Sequence, residues 1–240
     1  MAQVCVCDEY FTVDESGRLC LIPGVQGLRD ILYFAEPGTF QFEKGDYPWL
    51  ARVRVQVQAG GGGAAGARAS AGQLTAQPGA AGGGYSESLI PASALGTVET
   101  IVVGAGGTPG GPSSDGGPGG NSSFGGLVIA NGGAGGQAVM PAGSAPVSYS
   151  GTAAPLAGVG NFRQGGGAGG GALRLSGFEG QGGAGGESRL GHGGYSRAST
   201  GGGGGSRGFG GGAAGGIARD GDSTSGTEGG NGIVIVELWG

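Results

Sequence analysis

Apolar and polar residues alternate cleanly in two stretches that lie far apart in the chain. In 51–58, Val53, Val55 and Val57 take every second position and Arg52, Arg54, Gln56 and Gln58 the positions between, the period-two pattern of a strand buried on one face. Ile233-Val-Ile-Val-Glu-Leu-Trp239 is a near-continuous apolar run, suited like the first to a central place in a sheet. Further strands are expected at 39–43, with Phe40 and Phe42 on one face, at 85–90, at 98–103 and at 122–130. The last of these ends in Asn131-Gly132, a favoured type I′ turn pair. Phe11-Thr-Val13 and Leu19-Cys-Leu-Ile22 read as a hairpin around Asp14–Gly17, whereas 28–34 fits a short helix or a strand equally well.

Between the two best strands the side-chain signal fades into glycine. With 67 Gly and 11 Pro among 240 residues, composition alone argues for low complexity and disorder. The bracketing strands argue the other way. If they pair, the glycine region is a closed insertion whose ends start from a fixed base. A glycine run is then ordered if its backbone groups are paired, and the extended polyproline II conformation allows this: three residues per turn, about 3.1 Å rise and no internal hydrogen bonds. Without Cβ atoms, neighbouring helices come close enough to bond to one another. Glycine costs roughly 0.5–1 kcal/mol more per residue to order than alanine, so only dense bonding between helices offsets the loss. The runs at 60–66, 82–84, 104–120, 132–136, 165–171, 180–186, 201–205 and 210–216 have the length for helices of roughly 15–25 Å, tipped by inserts at 139–156, 161–163, 173–178, 188–195 and 217–227.

Charge and motifs exclude more than they suggest. The net charge of −5, with Lys44 the single lysine, leaves no footprint for a phosphate backbone or an anionic membrane. The chain lacks a signal-peptide start and an apolar run long enough to span a bilayer, so synthesis in a cytoplasm is expected. Thr100-Ile-Val-Val-Gly-Ala-Gly106 has the beginnings of a dinucleotide turn, but Pro109 and Pro112 stand where its helix should run. His192 is the only histidine and has no triad context, and Asp220-Gly-Asp222 has the wrong spacing for a calcium loop. Asn121-Ser-Ser123 fits a glycosylation sequon that the expected cytoplasmic route leaves idle. Cys5, Cys7 and Cys20 are the candidates for a metal or a reactive pair; against this, a fourth ligand is missing and small apolar packing explains them as well. Ser206-Arg207-Gly-Phe209-Gly-Gly is a single unit of the kind repeated in basic RNA-binding tails. No enzymatic activity, cofactor or nucleic-acid partner is expected.

The order of motifs resembles a known family. The opening strand with Ala59-Gly-Gly-Gly-Gly63, then Gly82-Gly-Gly-Tyr85, Thr100-Ile-Val-Val-Gly-Ala-Gly-Gly107, Gly120-Asn-Ser-Ser-Phe-Gly125 and Gly229-Gly-Asn-Gly-Ile-Val-Ile-Val236 is similar to the glycine-rich domain of bacteriophage tail fibres and minor tail proteins, over about residues 38–240. The resemblance implies a virion-surface protein with polyglycine II helices, trimeric, that binds a host receptor beside other tail proteins, with no insertion into a membrane. The fold expected is all-β: a jelly-roll-like sandwich base from 39–58, 85–103, 122–130 and 232–239, carrying a polyglycine II bundle mainly from 104–120 and 131–231. Residues 1–37 are taken as an attachment segment. Receptor contacts are sought on the large residues that interrupt the glycines: Tyr149, Phe162, Arg163, Phe178, His192, Tyr195 and Phe209. Tyr149, Phe162, Phe178, Tyr195 and Phe209, an uncharged set, suit stacking on a cell-surface polysaccharide, with a protein receptor the other option; packing between helix ends is the competing role for each aromatic. A purely structural tail component is the alternative function, and an RNA-binding tail a more remote one.

Overall fold

The structure, a computed structural model, describes residues 11–22 and 27–240. It is all-β; among the described residues the only helical turns are the three-residue 3-10 turns Lys44–Asp46 and Ala92–Ala94. The hairpin of β1 (Phe11–Val13) and β2 (Leu19–Leu21) forms as expected, with Phe11 opposite Leu21. The ambiguous stretch that follows is a strand, β3 (Leu28–Phe34), succeeded by β4 (Gly38–Glu43) and β5 (Arg52–Gln58). From here the chain leaves and re-enters the sheets repeatedly. β5 runs into glycine segment 59–66 and β6 (Ala67–Arg68); β7 (Leu74–Ala76) and segment 77–84 return to β8 (Tyr85–Pro91). β9 (Val98–Val103) leads out and back to the hairpin β10 (Ser122–Phe124) and β11 (Val128–Ala130). Later excursions carry β12 (Val147–Tyr149), β13 (Phe162–Gln164), β14 (Ala172–Arg174), β15 (Gly180–Gln181), β16 (Gly191–His192), β17 (Arg207–Gly208), β18 (Ile217–Arg219) and β19 (Ser223–Thr224) before β20 (Ile233–Trp239) closes the sheet.

Two sheets make the base. One has the order β13-β8-β5-β20-β3, the other β11-β10-β9-β4, and all pairings are antiparallel. Alternation decides which side chains meet between them. Val53, Val55, Val57, Val234, Val236 and Leu238 from the first sheet pack with Phe42, Ile101, Val103, Phe124 and Val128 from the second, all buried. The chain crosses between sheets from β4 to β5 and from β8 to β9, the sheet-switching expected of a jelly-roll-like base. β5 and β20 pair along their whole length, Gln58 with Ile233 through Arg52 with Trp239, so the glycine region is closed at its root. The sheet also reaches back beyond Pro37, because β3 pairs with β20.

Two readings are corrected here. Residues 122–130 are not one strand but a hairpin that turns at Gly125, whose φ of +53° is open to glycine at little cost. Asn131-Gly132 is not a type I′ turn. Both residues lie in extended backbone leading out of β11, where Asn131 O accepts from Gly84 N–H and Gly132 N–H donates to Asn121 Oδ1.

Above the sandwich the backbone bonds with a period of three. Along 59–66, Gly60, Gly63 and Gly66 donate to Gly120, Gly117 and Ser114; Gly61 and Ala64 donate to Gly230 and Thr227; Ala59 and Gly62 donate to Gly84 and Ala81. The carbonyls follow the same rhythm, Gly60 and Gly63 accepting from Gly133 and Gly136, Gly61 and Ala64 from Gly107 and Gly110, and Gly62 and Ala65 from Ala213 and Gly216. Every third residue meets the same neighbour, as a helix of three residues per turn demands. Segment 59–66 is thus surrounded by six others, three antiparallel that it donates to and three parallel that it accepts from. Segment 77–84 is a second hub: Gln77, Ala80 and Gly83 donate to Gly216, Ala213 and Gly210, Gly79 and Gly82 to Gly170 and Gly167, and Ala81 and Gly84 to Ala134 and Asn131. Pro78 continues the last row and has no N–H to give. The run 104–120 is two antiparallel helices, Gly117 and Gly120 donating back to Thr108 and Ala105.

The far end of the bundle is capped by small sheets whose strands gave no side-chain signal in the sequence: β12-β14-β15, β18-β7 and β19-β6. Leu74, Ala76, Met140, Ala172 and Ile217 form a second core beneath them.

Candidate functional site

The seven residues expected to touch a receptor fall into three places. Phe162 and Arg163 lie on β13, the edge strand of the five-stranded sheet. Phe162 is half exposed, its ring centre 6.2 Å from that of Tyr85, and Arg163 is exposed. Tyr149 and Phe178 lie at the far tip. There Tyr149 packs against the second core, while Phe178, in the turn between β14 and β15, is half exposed beside the exposed Leu175. His192, Tyr195 and Phe209 come together on one flank, where β16 pairs with β17 and His192 faces Arg207.

That flank is held by backbone and anchored to the sandwich. Phe209 N–H donates to Leu190 O at 3.3 Å, and Leu190 N–H donates to Gln58 Oε1, also at 3.3 Å. Gln58 is fully buried and gives its own amide hydrogens to Gly83 O and Gly84 O at 2.9 Å each. His192 Nδ1 lies 3.0 Å from Glu187 Oε2, an exposed pair of small energetic weight. Tyr195 stands between two arginines: the guanidinium carbons of Arg197 and Arg207 lie 5.4 and 5.7 Å from its ring centre, and Arg197 Nη2 donates to its hydroxyl at 2.9 Å. Tyr195, counted in an uncharged set of rings, thus has charged neighbours. Between Ser188 and Arg219 the sequence has four arginines and no acidic residue. Counting charge segment by segment rather than over the whole chain would have exposed this cluster.

The outer face of the five-stranded sheet is knitted together. Arg54 Nε donates to Glu87 Oε1 at 2.7 Å and Arg54 Nη1 to Glu237 Oε1 at 3.2 Å, while Tyr85 Oη donates to Glu87 Oε2 at 2.8 Å. Burial pushes the Glu87 carboxyl up, but the hydrogen bonds from Arg54 and Tyr85 outweigh it and hold the group below its ordinary value. Burial raises the Tyr85 phenol strongly, and its bond to Glu87 adds to the rise. A depressed carboxylate stabilises the fold above its unfolded value and stops doing so as pH falls through the folded one. Glu87→Gln is therefore expected to flatten the acid side of a melting-temperature profile below the ordinary glutamate value of 4.5, and to leave the shape above it unchanged. An acid limb as steep as in the unaltered protein would refute this.

At the sandwich end remote from the bundle, a cavity of about 500 Å³ opens among Tyr47, Pro48, Leu50 and Val98. Glu43, Lys44 and Thr97 also line it, and Lys44 is engaged with Ala92 O at 2.9 Å and Leu95 O at 3.5 Å. Cys20 lies in β2, its Sγ 3.8 Å from Asp14 Oδ2; Cys5 and Cys7 fall outside the described residues. Among the described residues no three of His, Cys, Asp and Glu gather as metal ligands would.

With strands, glycine mesh and inserts in place, the comparison with known families is decisive. The sequence pattern of the family described as the glycine-rich domain matches residues 37–239. The chain belongs to that family. The match takes in both sheets from β4 onward and the whole mesh, so the glycine-rich domain is sandwich and bundle together and not the bundle alone. No curated protein sequence resembles this glycine-rich domain closely enough to count as a match.

Proposed function

We propose that this glycine-rich domain is a non-enzymatic adhesin of a bacteriophage tail, in the fibre or at the tail tip, carried on the virion as a homotrimer with other tail proteins. Its mesh holds inserts in fixed positions, and the inserts meet a polysaccharide or protein on the host cell surface. The observation that carries this reading is the contrast between a backbone mesh without side chains to recognise anything and half-exposed rings mounted on it. Phe162 and Tyr195 are 50 and 51% exposed although their backbones are fixed by strand pairing and by the mesh, and Phe178, 55% exposed, sits in a turn closed by Leu175 and Ser176 N–H donating to Glu179 O. Recognition concentrates on loops that a rigid scaffold presents. Apolar rings left in water on such a scaffold fit contact with a partner.

One observation favours a second reading, a structural tail component. Tyr149 packs inward and Phe209 is partly covered, as plugs between helix ends would be. Adsorption separates the two. The purified protein is expected to bind host cells and to compete with phage for them, and Phe178→Ala combined with Tyr195→Ala is expected to lower adsorption at least tenfold with the melting temperature within a few degrees of the unaltered protein. Undiminished adsorption by phage carrying both replacements, or no competition by the purified protein, would point to the structural role.

A further inference from the structure

We infer that the flank of the bundle around Tyr195 is a binding site for an anionic polysaccharide, one whose sugars carry carboxylate or phosphate groups. The inference rests on the adhesin reading for its biological setting, and on the following geometry for its chemistry. Segments 193–197 and 201–205 are outer helices of the mesh. Gly194 joins the first to Gly185 and Gly212, Gly204 joins the second to Ala214, and the pair is linked by Gly204 N–H donating to Tyr195 O. The lattice therefore fixes the backbone beneath Tyr195 from three sides.

On that backbone the protein concentrates positive charge against its own net charge of −5. Arg197 and Arg207 flank Tyr195, Arg219 donates to the nearby Ala198 O, and none of the three has a carboxylate partner among the described residues, whereas Arg189 of the same span acts on Glu87 and Tyr85 of the sandwich. The acids at the rim are engaged elsewhere. Glu187 pairs with His192, Asp222 accepts from Thr200 Oγ1 at 3.0 Å, and Asp220 accepts from Gly72 N–H at 2.9 Å. Two guanidiniums held within 6 Å of one ring centre repel each other, and a cation–π contact with an exposed ring returns only about 0.5–1 kcal/mol each. An oxyanion set between the two guanidiniums offsets their repulsion, through the strong charge-assisted hydrogen bonds that arginine makes to carboxylate and phosphate oxygens.

The same geometry selects a polysaccharide over a nucleic acid. Single-stranded nucleic acids need successive aromatic faces open for base stacking and a continuous basic track. Here Tyr195 is a single half-exposed ring with two guanidiniums near it, so the flank offers no succession of open faces for bases. A short patch on an otherwise acidic surface suits a polymer with well-separated charges.

The test titrates purified full-length protein with polygalacturonate as the carboxylate probe, poly(glycerol phosphate) as the phosphate probe, neutral dextran and poly(U) RNA, by calorimetry at about 50 and 150 mM salt. Binding to one or both acidic polymers, weakening with salt and absent with dextran, is expected, and the two acidic arms identify the oxyanion. Arg197→Gln with Arg207→Gln should cost at least tenfold in affinity, Arg197→Lys with Arg207→Lys should restore part of it, and Arg18→Gln, exposed in the β1–β2 hairpin, should change nothing. Melting curves show whether each variant is folded, and Tyr195→Phe, which keeps the ring and removes only its hydroxyl, provides a milder variant should the double replacement unfold the flank. Binding to poly(U) as tight as to either acidic polymer, binding to neither, or full affinity in a folded double Gln variant would overturn the inference. Failure of the protein to adsorb to host cells while acidic polymers still bind would sink the adhesin reading and leave the site standing; adsorption that survives the double Gln variant would do the reverse.

Discussion

Gly62→Ala is expected to leave the protein without a cooperative melt. Gly62 N–H donates to Ala81 O and Gly62 O accepts from Ala213 N–H, so the residue is tied on two sides within the six-neighboured segment 59–66. A methyl group placed on it would collide with the carbonyl oxygen of Ala134. In a side-chain core such overpacking is partly relieved by rotamer changes and costs about 1–3 kcal/mol. Here the obstacle is backbone, and moving it breaks bonds to further helices, so a loss above about 3 kcal/mol is expected, among the larger effects a single substitution produces. Ala64 and Ala65 occur in the same segment and are fully buried, which shows that the mesh has room for methyl groups at chosen positions only. Gly205→Ala is the matching control: nothing lies within 4 Å of the added carbon, and its melting temperature should be almost unchanged. Parallel circular-dichroism and calorimetric melts of both variants decide the matter, and a Gly62→Ala protein that melts like the control would rule out a close-packed mesh.

Arg174→Met is expected to loosen the far tip while leaving the sandwich intact. Arg174 is only 6% exposed and has no carboxylate partner among the described residues. It donates instead to three carbonyls, Nη1 to Leu74 O at 2.9 Å and to Pro141 O at 2.6 Å, and Nε to Ala145 O at 2.8 Å. One side chain thereby fastens β7 and two turns of the long insert to β14. Methionine fills the volume but offers no donor: Leu74 O keeps its bond from Gly143 N–H, while the part-buried Pro141 O and Ala145 O each lose a charge-assisted bond worth about 1.5–3 kcal/mol. A loss of about 3 kcal/mol or more is expected in the free energy of opening the tip. Hydrogen exchange reads this locally: the mutually bonded amides of Leu74 and Gly143 should exchange much faster, those of Val55 and Val236 at nearly their former rate. Equal protection at the tip in both proteins would refute the fastening role.

How much of this was legible depended on whether side chains carried the information. The alternation of Val53, Val55 and Val57 and the apolar run from Ile233 gave the two central strands, their burial and their pairing, because sheet faces are written in side chains. The glycine runs announced a mesh through composition and length, yet which run bonds to which was invisible, since glycine has no side chain to suit one neighbour over another. The tip strands were missed for a related reason. Pairs such as β18 with β7 are three residues long, too short for a period to show. The candidate rings were picked out by being large among glycines, and that signal does not tell Tyr149, turned into a core, from Phe178, left in water. The arginines beside Tyr195 were passed over because an acidic total masks a basic neighbourhood.

The bonding rhythm along 59–66 has a consequence for how the chain finds its alignment. A lattice that repeats every three residues is degenerate: sliding one helix by three positions presents the same N–H and C=O groups to the same neighbours. The glycine runs cannot choose among these slips. The choice falls to what is fixed at their ends, the β5–β20 and β8–β5 pairings at the root and the Arg174 and Gln77 contacts at the tip. Alignment is thus set by a few end-points and merely propagated in between, which leaves the inserts free to change in sequence and length so long as each hands its helix back in step.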